Sequence, residues 1–346
     1  MKKKRTAVMI GFLCLLGGMG LYSTYHSRQV KEEIEDAHLQ IGLSVDSFII
    51  ERWQRERDIF VSTAKELGAE VNVQNANGDI KEQIAQLEYL ISKKVDTIVV
   101  IPIDAEAVTE VIKKARREGI KVISYDRLIK NANVDLYISF DNKKVGELMA
   151  QSLIGKIGVL GDILMVCGPL TDYNVVQLNE GFENKIARTH INMIDKLYTD
   201  EWLPEKAFDA TTQKLQMITT LDGIMCGNDG VAGQVIKALA EKRLAGKVYV
   251  VGQDADLEAC QRIVEGTQTM TVYKPVNELA KQAAEYAVRL GKGEALELED
   301  AFFDGEYEVP YKQLEPIAVT KENMDEVIIK GGFHLKEDVY LNIPVS

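Results

Sequence analysis

The chain has 346 residues, 46% of them hydrophobic and 27% charged, an ordinary globular composition that is long enough for two domains with cores of their own. A formal net charge of −12 argues against a nucleic-acid partner, whose phosphates need a positive footprint. Cys14, Cys167, Cys226 and Cys260 form no CxxC pair and the four histidines are scattered, so no zinc site and no cofactor is expected, and the thiols should be free and buried.

In chain order, "MKKKR" is followed by an uncharged run from Thr6 to Tyr25. About 20 such residues span the ~30 Å hydrocarbon core of a bilayer. The basic start favours a cytoplasmic N-terminus with the rest of the chain outside. A cleaved signal segment is the alternative, which would leave a secreted or periplasmic protein. Bulky Leu21, Tyr22 and Tyr25 stand where cleavage needs small residues, and Phe12 and Leu13 precede Cys14 where a lipid anchor needs them. The expectation is therefore a retained anchor over residues 1–27 on the extracytoplasmic face, followed by a charged, helix-prone stalk over 28–38.

From Leu39 onward, short β-rich apolar runs alternate with amphipathic segments. Strands are predicted at 41–45, 69–74, 96–101, 121–125, 136–140, 162–167, 191–198, 223–227, 247–252 and 268–273. Between them lie helical patterns such as "DAEAVTEVIKKARREG", where Ala107, Val108, Val111, Ile112 and Ala115 share one face and Gly119 stops the helix. Strand, helix, strand repeated in this way defines an α/β protein with parallel sheets covered on both faces. There are too many units for one sheet. The rhythm restarts after "SFDN" (139–142), returns near "VYKP" (272–275), and should cross a third time near 304–312. The expectation is two doubly wound lobes joined by a multi-strand hinge: 39–142 with 276–304, and 143–275 with 305–335, leaving 336–346 as a tail.

In open parallel sheets, ligands sit beyond the carboxyl ends of the strands. The residues just after these strands are of one chemical kind. Asp46, Arg52 and Trp53 follow the first strand, Asp126 and Arg127 the fourth, and Asp141 and Asn142 the fifth. Asp172 and Asn174 follow "LMVCG", Asn228 and Asp229 follow "GIMCG", Gln253, Asp254 and Asp256 follow "VYVVG", and Lys274 follows "TMTVY". Trp202 stands just before a helix that Pro204 can open. Singly, an Asp or Asn here is more simply a helix N-cap. Caps do not account for Arg127, Lys274 and both tryptophans at the same edge. Vicinal hydroxyls match carboxylates and amides, Arg and Lys donate to ring and hydroxyl oxygens, and a flat indole covers the apolar face of a pyranose. The pattern suits a sugar.

"ERWQRERDIF", "VQNANG", "ISYDRLI", "DLYISFDNKKVGELMAQ", "GQDADL" and "GTQTMTVYKP" resemble the D-xylose-binding group of the type I periplasmic sugar-binding family, over residues of about 40 to 335. The resemblance implies a sugar stacked between Trp53 and Trp202 in an interlobe cleft. Polar contacts would come from Arg52, Asp126, Arg127, Asp141, Asn142, Asn228, Asp254 and Lys274, with Asn174 in the divergent "TDYN" as a further candidate. "SFII" (47–50) departs from a more polar stretch, so a basic contact near Ile49 is missing. The functional expectation is a membrane-anchored D-xylose receptor that closes around its ligand and signals to a sensor histidine kinase. The alternative is the binding component of an ATP-driven (ABC) importer working with a permease. A transcription repressor would need a basic DNA-binding module where this chain has an apolar run. An enzyme using Asp126 and Asp254 as acid and base is disfavoured because Arg127 and Lys274 hold nearby carboxylates ionised.

Overall fold

The computed structural model describes residues 38–343; the expected anchor (1–27) and nearly all of the expected stalk (28–38) lie outside the described residues. Two sheets organise the chain. The first contains β1 (Leu39–Val45), β2 (Ala69–Asn75), β3 (Thr97–Val100), β4 (Lys121–Tyr125), β5 (Leu136–Phe140), β11 (Ala301–Phe303) and β12 (Glu308–Leu314), in the order β11-β12-β5-β4-β3-β1-β2. The second contains β6 (Leu160–Cys167), β7 (His190–Tyr198), β8 (Gly223–Cys226), β9 (Tyr249–Gln253), β10 (Met270–Tyr273) and β13 (Ile317–Val319), in the order β13-β10-β9-β8-β6-β7. The inner strands pair in parallel, and β11 and β13 add antiparallel edges. Central strands are buried along their whole length and mostly apolar, as in β3 (TIVV) and β5 (LYISF), because helices cover both faces.

Helices fill the intervals: α1 (Arg52–Glu66), α2 (Ile80–Ser92), α3 (Thr109–Arg117), α4 (Asn142–Ile157), α5 (Tyr173–Ile186), α6 (Pro204–Lys214), α7 (Asp229–Glu241), α8 (Leu257–Glu265), α9 (Val276–Gly291) and the short α10 (Lys336–Val339). Their starts are chemically marked. Asp79, Asp141, Asp172 and Asn228 each accept a backbone N–H in the following first turn, and Pro204 opens α6. Helices α4 and α5 touch backbone to backbone. A Cβ on Gly146 would lie 2.1 Å from the Leu178 carbonyl oxygen, and one on Gly181 would lie 2.0 Å from that of Lys143.

The chain crosses between lobes after Phe140 and again after Tyr273, where α9 returns to pack on α1 and the first sheet, with Thr97 Oγ1 donating to the Ala287 carbonyl at 3.0 Å. The third crossing differs from the sequence expectation. Residues 308–314 pair in parallel with β5 (Tyr311 with Tyr137, Leu314 with Phe140), so the first lobe extends to Leu314 and the crossing falls between Leu314 and Ile317. Val309, Tyr311 and Leu314 are buried on that sheet, which draws the segment back. The residues expected as a tail also dock: Gln261 donates to the Asp338 carbonyl and Tyr340 Oη to Asp325. Cys167, Cys226 and Cys260 are free and buried.

Candidate functional site

The carboxyl ends of the two sheets face one another across a narrow cavity. Its lining comes from both lobes: Ile50, Arg52, Trp53, Asp126 and Arg127 from the first, and Asp172, Asn174, Trp202, Asn228, Gln253, Asp254 and Lys274 from the second.

The first-lobe wall is a braced cationic network. Arg52 and Trp53 open α1. The Arg52 guanidinium pairs with Glu56 one turn on, donates to Asp126 Oδ2 at 2.7 Å, and lies 4.3 Å from the centroid of the Trp53 ring. Glu56 in turn accepts from Tyr125 Oη. Arg127 Nη1 donates to Asp46 Oδ2 at 2.6 Å and to the Pro102 carbonyl at 3.1 Å. Burial alone would raise the Asp126 carboxyl, but Arg52, Lys274 and Arg127 outweigh it and hold it below the usual range. The chain enters Asp126 with φ of 63°, a left-handed conformation that L-residues adopt at a cost. It is held there by its N–H donating to the Ile138 carbonyl at 2.8 Å and by Ser139 Oγ donating to its own carbonyl.

The second-lobe wall repeats the device. Asp254, at φ of 100°, follows β9 as Asp126 follows β4, and its N–H donates to Val272 of the neighbouring strand at 2.9 Å. Lys274 Nζ lies 2.7 Å from Asp254 Oδ1, and Arg52 reaches the same oxygen from the other lobe at 3.7 Å. Asn228 Oδ1 is occupied in capping α7, where it accepts from Val231 N. Trp202 ends a single 3-10 turn, Asp200–Trp202, at φ of 57°. Its ring lies on two glycine backbones: a Cβ on Gly168 would come within 2.3 Å of the indole and one on Gly227 within 3.1 Å. Its Nε1 donates to Asp172 Oδ2 at 3.1 Å.

Side chains also join the lobes directly. Arg127 Nε lies 2.7 Å from Asp172 Oδ2, Asn174 Nδ2 donates to Asp126 Oδ1 at 2.9 Å, and Ala105 N donates to the Thr171 carbonyl at 3.1 Å. This is a closed arrangement of a two-lobed hinge. Trp53 Nε1 and Gln253 Oε1 are buried without a protein partner, and both residues line the cavity; such orphaned groups call for a polar guest.

Nine of the eleven residues expected at the site thus come together: Arg52, Trp53, Asp126, Arg127, Asn174, Trp202, Asn228, Asp254 and Lys274. Asp141 and Asn142 do not line the cavity. The Asp141 carboxylate caps α4 through Lys144 N and accepts from Gln313, so the simpler N-cap account is the right one for it. Asn142 sits one layer back, donating to Asn174 Oδ1 at 3.0 Å and to Gln177. Sequence reasoning placed Asp172 and Gln253 at strand ends without assigning them a contact, and gave no role to Ile50, Gly168 and Gly227. The two glycines did leave a trace: β6 and β8 both run out into Cys-Gly, as "MVCG" and "IMCG".

Residues 41–295 match the family model described as periplasmic binding protein domain. The chain is 44% identical over 334 residues to the D-xylose-binding periplasmic protein of Haemophilus influenzae, covering 95% of this chain and 98% of that one. It is 40% identical over 320 residues to the D-xylose-binding periplasmic protein of Escherichia coli, covering 91% and 94%. Among solved structures, an ABC transporter solute-binding protein from Clostridium phytofermentans with bound β-D-glucose superposes with a TM-score of 0.79 at 25% identity, covering 87% of this chain and 99% of that one. The two-lobed fold, the interlobe cavity and these likenesses define a class of closing sugar-binding protein rather than an enzyme. The chain belongs to the periplasmic binding protein family, and the resemblance to its D-xylose-binding members extends over nearly its whole length.

Proposed function

We propose that this chain binds D-xylose outside the cytoplasmic membrane and delivers it, as the solute-binding component, to the permease of an ABC importer. The observation that carries the proposal is the shape and chemistry of the interlobe cavity: Trp53 and Trp202 contributed by opposite lobes, with ionised Asp126, Arg52, Arg127 and Lys274 around them. Two indoles cover the apolar faces of a pyranose, and the fixed charges replace the water on its hydroxyls. Closing is favoured to the extent that the sugar binds the closed form better than the open one. The importer supersedes the kinase-coupled sensor as the preferred partner because the matched relatives and structures are named as periplasmic binding proteins and ABC transporter solute-binding proteins. A retained membrane anchor has no support beyond the N-terminal sequence, and a periplasmic location agrees with the named relatives.

The test has two arms. Calorimetric titration with xylose, arabinose, ribose and glucose should give one site per chain with xylose tightest; absence of binding to any of them removes the sugar reading. Deleting the gene should abolish high-affinity xylose uptake while leaving xylose-induced transcription intact when the sugar enters by another route. Loss of the transcriptional response alone would restore the sensor reading.

A further inference from the structure

Asp172 serves more purposes than a helix cap requires. Its Oδ1 accepts from Asn174 N at 2.9 Å, which is the cap of α5. Its Oδ2 accepts from Trp202 Nε1 at 3.1 Å inside the second lobe and lies 2.7 Å from Arg127 Nε of the first. Asp172 and Arg127 are each 3% exposed, so this ion pair is shielded from solvent. Arg127 is not free to follow Asp172 if the lobes separate, because Asp46 and the Pro102 carbonyl hold it to the first lobe. One carboxylate oxygen therefore links the indole of one wall to a fixed cation of the other.

We propose that Asp172 is a positioning residue that couples the orientation of Trp202 to closure of the cleft. This rests on the monosaccharide-binding reading above. The ring is aimed by Asp172, and the same oxygen holds Arg127 only when the lobes are together. A sugar that keeps Trp202 flat on Gly168 and Gly227 also keeps Asp172 presented to Arg127, and opening must break both. Asp172 thereby governs how long the closed form lasts more than how fast it is reached.

The experiment uses the full-length protein and xylose in rapid-mixing kinetics, with a label pair at Glu66→Cys and Met217→Cys reporting lobe separation. Asp172→Asn keeps the cap through Oδ1 but puts an NH2 donor in place of Oδ2, the oxygen shared by the indole and Arg127, and loses the charge. The expected result is an association rate within about twofold of wild type, dissociation faster by roughly tenfold or more, and a measurable open fraction at saturating sugar. Trp202→Phe probes the link from its other end. The effects of D172N and W202F on dissociation should be non-additive, since each removes the same coupling. Wild-type dissociation and label distance in D172N, or strictly additive effects, overturn the proposal alone. A wild-type protein that binds no monosaccharide overturns the parent reading and this proposal with it.

Discussion

The two walls of the cleft present the same kind of side chain by different means. Trp53 is the second residue of a regular helix, 2% exposed, with the Arg52 guanidinium against its ring. Trp202 sits at a left-handed φ in a single 3-10 turn, lies on two glycines, and is steered by one hydrogen bond to Asp172. The first wall is rigid because secondary structure and a buried charge network determine it. The second is held by a few local contacts, several of which cross the hinge or adjoin groups that do. A binding protein that must open and close needs one fixed reference surface and one whose order depends on closure.

Removing the fixed reference should cost most. Trp53→Ala is expected to weaken xylose binding about 100-fold or more, in line with the roughly 3 kcal/mol lost at buried tryptophan hot spots, with the melting temperature measured alongside affinity to separate the two effects. If Trp202→Ala proved the more damaging, the fixed and dependent walls would have to be exchanged. Gly168→Ala tests the second wall without touching a polar group. Its methyl would stand 2.3 Å from the present indole, so the ring must tilt. The cost of such overpacking is about 1–3 kcal/mol, read as a roughly 5- to 150-fold affinity loss by calorimetry. Unchanged affinity would mean that Trp202 does not stack in the orientation seen.

The walls also differ in their response to pH. In the first, cations hold Asp126 below its ordinary value. Its contribution to stability is present at neutral pH and disappears only as pH falls through that lowered value. In the second lobe, behind its wall of the cleft, Asp229 is buried beside Thr271 and Gln268, and burial pushes its carboxyl up to about 7. Here the sign is opposite. Between the ordinary carboxylate pKa and about 7 the unfolded chain binds fewer protons than the folded one, so stability falls as pH rises across that window. Thermal melts of the wild type should drop on the order of 3 °C between about pH 5 and pH 8. Asp229→Asn should flatten that slope. A slope that survives the substitution would place the titrating group elsewhere.

The same contrast explains what could be seen in the sequence. Trp53, Arg52, Asp126, Arg127, Asp254 and Lys274 follow strands whose apolar runs are unmistakable, and the carboxyl-end rule points to them directly. Asp141 and Asn142 satisfy the same rule, and nothing in a one-dimensional pattern separates a cap from a cavity residue one position along. The third crossing falls later than the pattern suggests because β11 (AFF) is only three residues long and β12 (EVPYKQL) is partly polar, with Pro310 inside it. The bed beneath Trp202 is a relation between Gly168, Gly227 and a turn more than 30 residues from the first, and only folding brings them together.

The smallest expected effect concerns Ile50, from the "SFII" stretch that departs from a polar pattern. It belongs to the first lobe, lines the cavity, and packs against the second-lobe core that includes Trp202. It is therefore an apolar contact across the hinge, partly buried and next to the dependent wall. Ile50→Ala removes part of that contact and widens the cavity where no charge is stationed. Partial burial discounts the usual 2–5 kcal/mol of a core truncation to about 1 kcal/mol, so xylose affinity should fall about fivefold. The selectivity ratio of xylose over glucose should fall further than affinity itself, because added space rewards the ligand with the extra hydroxymethyl group. Competitive titration of the two sugars against I50A measures both. A selectivity ratio that holds while affinity drops would mean that Ile50 acts only by closing the lobes, and that discrimination between pentose and hexose resides on the rigid wall with Arg52, Trp53 and Asp126.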